Sequence, residues 1–206
     1  MSGPAGGVIG GKTEGLSCGS HNLITVDIGG TSADISTIPD GQIKIMNPRD
    51  SYVSGHPILI PMIDLVTIGA GGGSIAYVDS AGGFHVGPRS AGADPGPACY
   101  GRGGEEPTVT DAQVVLGRLD ADKMLGGDLL LDPELARRAI ESKIAKRLNI
   151  SATDAALGII KVINSNMALA IRSNSVARGV DPREYSLMPF GGAGPLHGVA
   201  LAESVS

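Results

Sequence analysis

The stretch that decides the fold runs from Leu23 to Ile38 and reads LITVDIGGTSADISTI. Leu23 to Ile28 is a short apolar run that ends at Gly29-Gly30, and β-branched residues resume between Ala33 and Ile38. Two such runs joined by a glycine pair are typical of a tight β-hairpin. The sequence therefore predicts two antiparallel strands with the glycines between them.

The hairpin carries a carboxylate in an unusual place. Asp27 ends an otherwise apolar strand, where an ionised carboxylate is costly unless it is paired or faces a cation. The glycines and Thr31 would let backbone amides and a hydroxyl close around phosphate oxygens. Asp27 would then bind Mg²⁺ through water molecules, which is how proteins commonly bind a hard cation that also has phosphate ligands. The alternative is an ordinary hairpin with turn glycines and surface acids.

A second glycine bend lies near the end of the chain. The pattern predicts a strand over Ser186 to Phe190, then the run Gly191 to Gly194, then a helix begun by Pro195. The free amides and partial positive charge of a helix N-terminus suit an anionic ligand. We expect Gly30 and Gly192 to share one cleft, in which main-chain N–H groups grip a triphosphate.

Composition narrows the class of protein. Of the 206 residues, 42% are hydrophobic and 18% are charged, enough apolar surface to fold. A net charge of -5 without a basic cluster argues against nucleic acid. The two cysteines, Cys18 and Cys99, are too few for a disulfide scaffold and fit a reduced, cytoplasmic setting. No secretion signal occurs at the N-terminus, and the apolar segment 58–68 is too short to span a membrane.

The middle of the chain predicts further strands and a long loop. Gln42 to Met46 would extend the hairpin as the third strand of a meander. Strands at Ile63 to Ile68 and Ser74 to Val78 flank a glycine cluster, and a short strand follows at Phe84 to Val86. Residues 87–107 carry repeated Gly and Pro with almost no periodicity, which is typical of a functional or disordered loop.

Three helices are predicted in the second half. Thr110 is a candidate N-cap for a helix through Leu119, and Asp132-Pro133 begins another that continues to Leu148. The third helix spans Ala152 to Ala177. Its apolar stripe comprises Leu157, Ile160, Ile163, Met167, Ala170 and Ile171.

Several sequence blocks resemble known proteins. DIGGTSAD at 27–34 resembles a phosphate loop of the actin, sugar-kinase and heat-shock-chaperone superfamily, and FGGAGPLH at 190–197 resembles its adenosine-motif turn. TIGAGGGSIA at 67–76, GPRSAGADPGPACYG at 87–101 and PTVTDA at 107–112 resemble the hydantoinase A / 5-oxoprolinase family, as does the opening SGPAGG. The likeness covers essentially the whole chain.

The resemblance implies an α/β fold, one lobe of an actin-like or ribonuclease H-like ATPase with a mixed sheet and packed helices. Residues 1–206 would be a single hydantoinase A-type domain from a longer parent, and residues 84–107 a loop on the substrate side. Proteins of that family begin with another domain that has its own phosphate loop, whereas this chain has one such loop. We therefore expect the isolated fragment to be inactive, because phosphoryl transfer needs groups from both sides.

The activity implied is ATP-dependent opening of a cyclic amide, such as hydantoin or 5-oxoproline, through phosphorylation of the amide oxygen. ATP and Mg²⁺ or Mn²⁺ would be the cofactors. The expected partners are the N-terminal domain of the parent, a hydantoinase B-type subunit and further copies of the chain. The alternatives are a subunit for ATP-dependent carboxylation of ketones and a non-catalytic nucleotide-binding or assembly module. The long loop disfavours a sugar or acyl kinase.

Candidate site residues follow from these blocks. The catalytic candidates are Asp27 and Asp111, with Asp27 also the metal ligand, while Asp111 has the alternative of a helix-start acid. The nucleotide candidates are Gly29, Gly30, Thr31, Ser32, Asp34, Gly191, Gly192 and Gly194. The substrate candidates are Arg89, Asp94, Cys99 and Tyr100. Cys99 is alternatively an inert small residue, Arg89 the partner of a local acid, and His197 a packing or capping residue rather than a base.

Overall fold

The computed structural model describes residues 2–47, 52–53, 56–57, 61–122 and 129–205. Its helices are α1 (Ser2–Ser17), α2 (Val109–Val115), α3 (Pro133–Ile140), α4 (Lys146–Leu148), α5 (Ala152–Ala177) and α6 (Gly194–Val205). A π-helical segment, Glu141–Ala145, joins α3 to α4. The strands are β1 (Leu23–Ile28), β2 (Ala33–Ile38), β3 (Ile45–Met46), β4 (Tyr52–Val53), β5 (His56–Pro57), β6 (Met62–Ile63), β7 (Val66–Ile68), β8 (Ser74–Val78), β9 (Phe84–Ser90) and β10 (Ser186–Phe190).

A four-stranded mixed sheet forms the centre of the molecule, in the order β10-β1-β2-β7. The predicted hairpin is confirmed, because β1 and β2 pair antiparallel with Asp27 opposite Asp34. Strand β10 lies parallel to β1, with Phe190 beside Asp27. The carboxyl ends of β1 and β10 therefore meet at one edge of the sheet. The expected α/β class with a mixed sheet and packed helices is confirmed.

The third antiparallel strand is not the one predicted. Residues 42–46 do not extend the sheet, since only Ile45–Met46 is a strand and it pairs with β6. Gly41 N–H donates to His21 O at 2.7 Å, which turns the chain back towards the start of β1 after β2. The place beside β2 is taken by β7. The meander prediction was wrong because the strand that pairs with β2 comes from a part of the chain far from it in sequence.

The predicted loop also begins later than expected. Phe84–Ser90 is strand β9 and pairs with β8, so the strand predicted at Phe84 to Val86 is confirmed and continues to Ser90, and the loop begins after it rather than at residue 84. Between Ser90 and Thr108 the chain contains a 3₁₀ turn, Ala98–Tyr100. This segment is therefore partly ordered by local structure.

The main core lies between the sheet and α5, α2 and α6. Ile24, Val26 and Ile28 of β1 share a buried cluster with Ile159 and Met167 of α5. The predicted bounds of α5 are confirmed, and so is the burial of its stripe at Ile160, Ile163, Met167 and Ile171. By length and composition alone α5 is also apolar enough to cross a bilayer. Its packing against the sheet, α2 and α6 makes it the central core helix of this fold.

Helix α1 covers the other face of the sheet and was not predicted. Glycines at every fourth position face the strands: a Cβ on Gly7 would lie 2.2 Å from the Phe190 ring, and one on Gly15 would lie 2.4 Å from Leu23. Glycine destabilises a helix interior by about 1 kcal/mol relative to alanine. The glycines are tolerated here because only they let the helix backbone approach the sheet this closely.

Two alanine substitutions in α1 should have opposite effects on stability. A Cβ on Gly10 has nothing within 4 Å, so Gly10→Ala should stabilise the chain by roughly 0.5–1 kcal/mol. Gly15→Ala should destabilise it by about 1–3 kcal/mol, because Leu23 is fully buried and has nowhere to move. Urea unfolding of the two variants measures the difference. Equal midpoints would contradict the close packing of α1.

Candidate active site

The two glycine bends share one cleft, as expected from the sequence. Gly29 and Gly30 of the β1–β2 turn and Gly192 of the β10–α6 turn line a cavity of about 140 Å³. Gly72 lines it as well, together with Tyr100, Val109, Thr110, Gln113, Leu119, Ala193, Leu196 and His197. The cavity lies at the carboxyl ends of the parallel strands β1 and β10, where ligands bind in open α/β sheets.

The glycine cluster after β7 is docked directly on the β1–β2 turn. Gly72 N–H donates to Gly29 O at 2.9 Å, and Gly73 N–H donates to Gly30 O at 2.6 Å. A Cβ on Gly71 would lie 2.8 Å from the backbone of Gly29 and Gly30, so no other residue fits. Thr110 of α2 joins this contact, since both its N–H and its hydroxyl donate to Gly72 O. Three elements thus meet at the floor of the cleft.

The bend after β10 is fixed against β1. Gly191 has a φ of 87°, and a Cβ there would lie 2.3 Å from Asp27 Oδ1. Ala193 N–H donates to Ile28 O at 2.9 Å. By contrast, a Cβ on Gly192 has nothing within 4 Å. Gly191 is therefore required by the fold, whereas Gly192 borders open space in the cleft.

Free main-chain donors remain at both bends. Across the part of the chain that the structure describes, the N–H groups of Gly30, Thr31 and Gly192 have no hydrogen-bond acceptor. The cleft lining contains backbone, apolar, hydroxyl, amide and imidazole groups, and among the described residues no charged side chain. Unpaired N–H groups at two bends that line one cavity, with no basic side chain in the lining, fit the oxygens of a phosphate.

Asp27 and Asp34 lie opposite each other on neighbouring strands. Burial raises the pKa of Asp27 above its usual range, and the negative charge of Asp34 raises it further. Thr67 Oγ1 donates a short hydrogen bond to Asp34 Oδ1. Like charges across a strand pair are destabilising, so a cation shared between the carboxylates would relieve the repulsion.

Asp27 and Asp34 provide the small number of carboxylates that an Mg²⁺ ion bound to phosphate requires. No cluster of three or more His, Cys, Asp or Glu that could hold a metal occurs among the described residues. Mg²⁺ commonly uses one or two carboxylates and completes its shell with water and phosphate. Asp27 does not line the cleft itself but lies against Gly191 at its edge.

The structure contradicts a catalytic role for Asp111. Its side chain is fully buried, and its carboxylate accepts hydrogen bonds from the N–H groups of Ala98, Cys99 and Thr108 and from the Thr108 hydroxyl. Thr108, rather than Thr110, is the N-cap of α2, and Asp111 completes a capping box with it. Asp111 therefore holds the Ala98–Tyr100 turn against α2, which agrees with the helix-start alternative.

The structure places the four substrate candidates in different environments. Cys99 is fully buried, and burial raises the pKa of its thiol, with Asp111 adding to the effect, so it cannot contact a substrate. Tyr100 lines the cleft, with the Arg102 guanidinium 5.9 Å from its ring centre. Arg89 is exposed and lies 5.9 Å from the ring centre of Tyr77, outside the cleft lining. Asp94 is exposed in the loop after β9.

Comparison with known proteins identifies the family of the chain. The sequence model of the family described as hydantoinase/oxoprolinase matches residues 1–206. The chain belongs to the hydantoinase/oxoprolinase family. It is 48% identical to the caprolactamase subunit alpha of Pseudomonas jessenii over 99% of its own length and 29% of that relative. It is 40% identical to the acetophenone carboxylase gamma subunit of Aromatoleum aromaticum over 97% of this chain and 27% of the relative.

Two solved structures of family relatives have the same fold. The crystal structure of the ATP-dependent caprolactamase of Pseudomonas jessenii superposes with a TM-score of 0.89 at 48% identity. The nucleotide-free acetone carboxylase superposes with a TM-score of 0.89 at 36% identity. In both, this chain is covered completely and corresponds to 29% of the solved chain. The chain thus spans about three tenths of the length of these relatives.

The cleft of this chain also contains a group of polar residues that the sequence did not identify as a site. Gln113 on α2 and His197 on α6 both line the cavity. His197 is 1% exposed, and its Nδ1 lies 2.6 Å from Asn164 Oδ1 on α5. Asn164 is buried and is connected to the cleft through this contact with His197. The sequence signal that could have identified Gln113 is its position three residues after Thr110, because residues at this spacing share one face of a helix.

Burial keeps the imidazole of His197 neutral. Burial lowers the pKa of His197 from 6.5 to about 4, and the positive charge of Arg118 contributes. Its ring is almost entirely buried and is hydrogen-bonded, which agrees with the expectation of a packing residue. The imidazole stays uncharged throughout the physiological pH range.

His197 should make the stability of the chain depend on pH. The unfolded chain binds a proton near pH 6.5 and the folded chain only near pH 4, so the unfolded state gains protons first. Stability contributed by the neutral ring is therefore present above pH 6.5 and is lost as the pH falls towards 4. Between pH 7 and pH 5 the free energy of unfolding should fall by about 2 kcal/mol more in the wild type than in His197→Gln. Urea unfolding at both pH values measures this, and parallel losses would contradict it.

Proposed function

We propose that the chain is the nucleotide-binding half of an ATP-dependent enzyme that opens a cyclic amide by phosphorylating the amide oxygen. The observation that carries the proposal is the cleft in which the β1–β2 and β10–α6 bends converge with free N–H groups. The family membership and the ATP-dependent relative of known structure support the same conclusion.

The chain's own residues have separate tasks in this proposal. The backbone N–H groups of Gly30, Thr31 and Ser32 hold phosphate oxygens from one side, and those of Gly192 and Gly194 hold them from the other. Gly29, whose N–H donates to Ser32 O, and Gly191, which packs against Asp27, shape the two bends. Asp27 and Asp34 hold Mg²⁺ through water. Bound Mg-ATP would supply the phosphoryl group that makes a poor amide electrophile reactive towards water. Because the donors are peptide groups fixed by the fold, they need no reorganisation when charge develops.

The cleft in this chain is only part of the proposed site. A cavity of about 140 Å³ is smaller than the roughly 300–1,000 Å³ typical of ligand pockets. We infer that the parent's N-terminal domain and a B-type subunit supply the other walls. Tyr100 is the substrate candidate that lies at the cleft. Asp94, exposed in the same segment, faces solvent on this chain and remains a candidate for the assembled protein.

Ketone carboxylation is the second candidate function. Relatives named as acetophenone carboxylase and acetone carboxylase subunits match the chain over nearly its whole length. The identity is higher with the caprolactamase subunit, at 48% against 40% and 36%, which favours the cyclic amide. A nucleotide-binding module without catalysis is the third alternative.

Substrate-dependent ADP release separates these three functions in the full-length protein. We expect release with caprolactam, hydantoin or 5-oxoproline and Mg-ATP, without added bicarbonate. Release that needs acetone or acetophenone together with bicarbonate would support carboxylation instead. Nucleotide binding without substrate-dependent release would support the non-catalytic module.

Removal of the Asp27 carboxylate should weaken Mg-ATP binding. In Asp27→Ala, calorimetric titration of the full-length protein should show an affinity at least about tenfold lower, since one charge-assisted ligand of the metal shell is lost. The same titration with ATP and EDTA should change much less. Glu203→Ala, which removes an exposed carboxylate near the opposite end of α6, is the charge-matched control. Unchanged Mg-ATP affinity would reject the metal role.

A methyl group added at Gly192 should block the cleft without disturbing the fold. Because a Cβ there meets nothing within 4 Å, the free energy of unfolding of Gly192→Ala should lie within about 1 kcal/mol of the wild-type value. Mg-ATP affinity should fall about tenfold or more, as the methyl occupies ligand space beside a free N–H. Gly10→Ala, also in open space but on α1, controls for the change of backbone freedom. Wild-type affinity in Gly192→Ala would contradict the assignment of the bend.

A further inference from the structure

Gln113 is a buried amide on the wall of the cleft, and one end of it has no partner. The side chain is 1% exposed and lines the cavity beside the glycine bends. Its Oε1 accepts no hydrogen bond from the described residues. Buried polar atoms in native structures are nearly always paired. An orphan acceptor on a residue that borders a cavity therefore points to a ligand that supplies the donor.

The other end of the amide is held by a buried polar pair. Gln113 Nε2 lies 3.5 Å from His197 Nε2, and His197 Nδ1 lies 2.6 Å from Asn164 Oδ1. A neutral imidazole carries one proton, and Asn164 Oδ1 can only accept, so that proton lies on Nδ1. His197 Nε2 then accepts the N–H of Gln113. This chain orients the amide and leaves Oε1 as its free end.

The surroundings of Gln113 differ from those of the glycine bends. Val109, Leu119 and Leu196 line the same cavity with apolar surface. The unpaired N–H groups of Gly30 and Gly192 suit an anion, whereas an apolar wall with one oriented amide suits an uncharged group. The cleft therefore has two chemically distinct parts.

We propose that Gln113 recognises an N–H group of a ligand in the cleft, with Oε1 accepting that N–H. The inference rests on the proposed function, which brings two such groups to the site: the exocyclic amino group of adenine and the N–H of the cyclic amide. A glutamine amide can pair with an adenine edge, and a cyclic amide presents its N–H and C=O on one side. Gln113 sets specificity, while His197 and Asn164 are positioning residues.

The test replaces the amide and keeps the volume. Gln113→Met in the full-length protein removes the acceptor with little change of side-chain size. Recognition of one of the two rings should weaken about tenfold, the factor expected for one hydrogen bond. Gln42→Met is the matched control, because Gln42 is exposed and lies outside the cleft lining.

Two measurements distinguish the base from the substrate. ITP carries a carbonyl where adenine carries an amino group, so a Gln113 that reads adenine gives the wild type a preference for Mg-ATP over Mg-ITP. That preference should shrink about tenfold in Gln113→Met. A Gln113 that reads the cyclic amide instead leaves both nucleotide affinities unchanged and raises the KM for the lactam about tenfold, with a smaller change in kcat.

Unchanged nucleotide preference together with unchanged lactam KM would overturn the inference. If Gln113→Met does not accumulate as folded protein, Gln113→Asn gives the same decision, since it keeps an amide but withdraws it by one methylene. The proposed function is judged on the wild type alone, by Mg-ATP binding and lactam-dependent ADP release. A wild type that passes both, with Gln113 variants that behave like it, rejects only the role of Gln113.

Discussion

The contact between the glycine cluster after β7 and the β1–β2 turn holds the rest of the site in place. Gly72 and Gly73 donate main-chain hydrogen bonds to the carbonyl oxygens of Gly29 and Gly30. A single Cβ on Gly71 would separate these backbones. Since Thr110 bonds to Gly72, the same contact also positions α2. This close contact between two backbone segments thus determines where the hairpin, the glycine cluster and α2 meet. The cleft is the space that remains between them.

Local patterns predicted those elements that depend on local residues. The β1–β2 hairpin, the bounds of α5 and the glycine bend before α6 could all be read from apolar periodicity and from the position of glycines. Strand β7 lies within the strand predicted at Ile63 to Ile68, but its place beside β2 could not be predicted, because that pairing is decided by residues far apart in sequence. Helix α1 could not either, since its glycines have low helix propensity and are favoured only by contact with the sheet.

The candidate site was predicted less evenly than the fold. Glycines of both bends were identified because their role needs no side chain, and the structure places them around one cleft. Acidic residues were harder to assign. Asp27 and Asp111 look alike in sequence, yet one opposes another carboxylate and the other is surrounded by N–H and O–H donors. The number of donors around a carboxylate depends on tertiary structure, and so does the burial that removes Cys99 from the surface.

The use of peptide groups as the main donors at Gly30 and Gly192 affects how such a site can be discovered by mutation. Truncation of side chains to alanine, the usual survey, removes nothing at a residue that has no side chain. Such a survey would register Asp27 and pass over the bends beside it. Only the addition of atoms, one methyl at a time, would reveal the proposed anion-binding surface, so a region that tolerates truncation can still be the one most sensitive to added atoms.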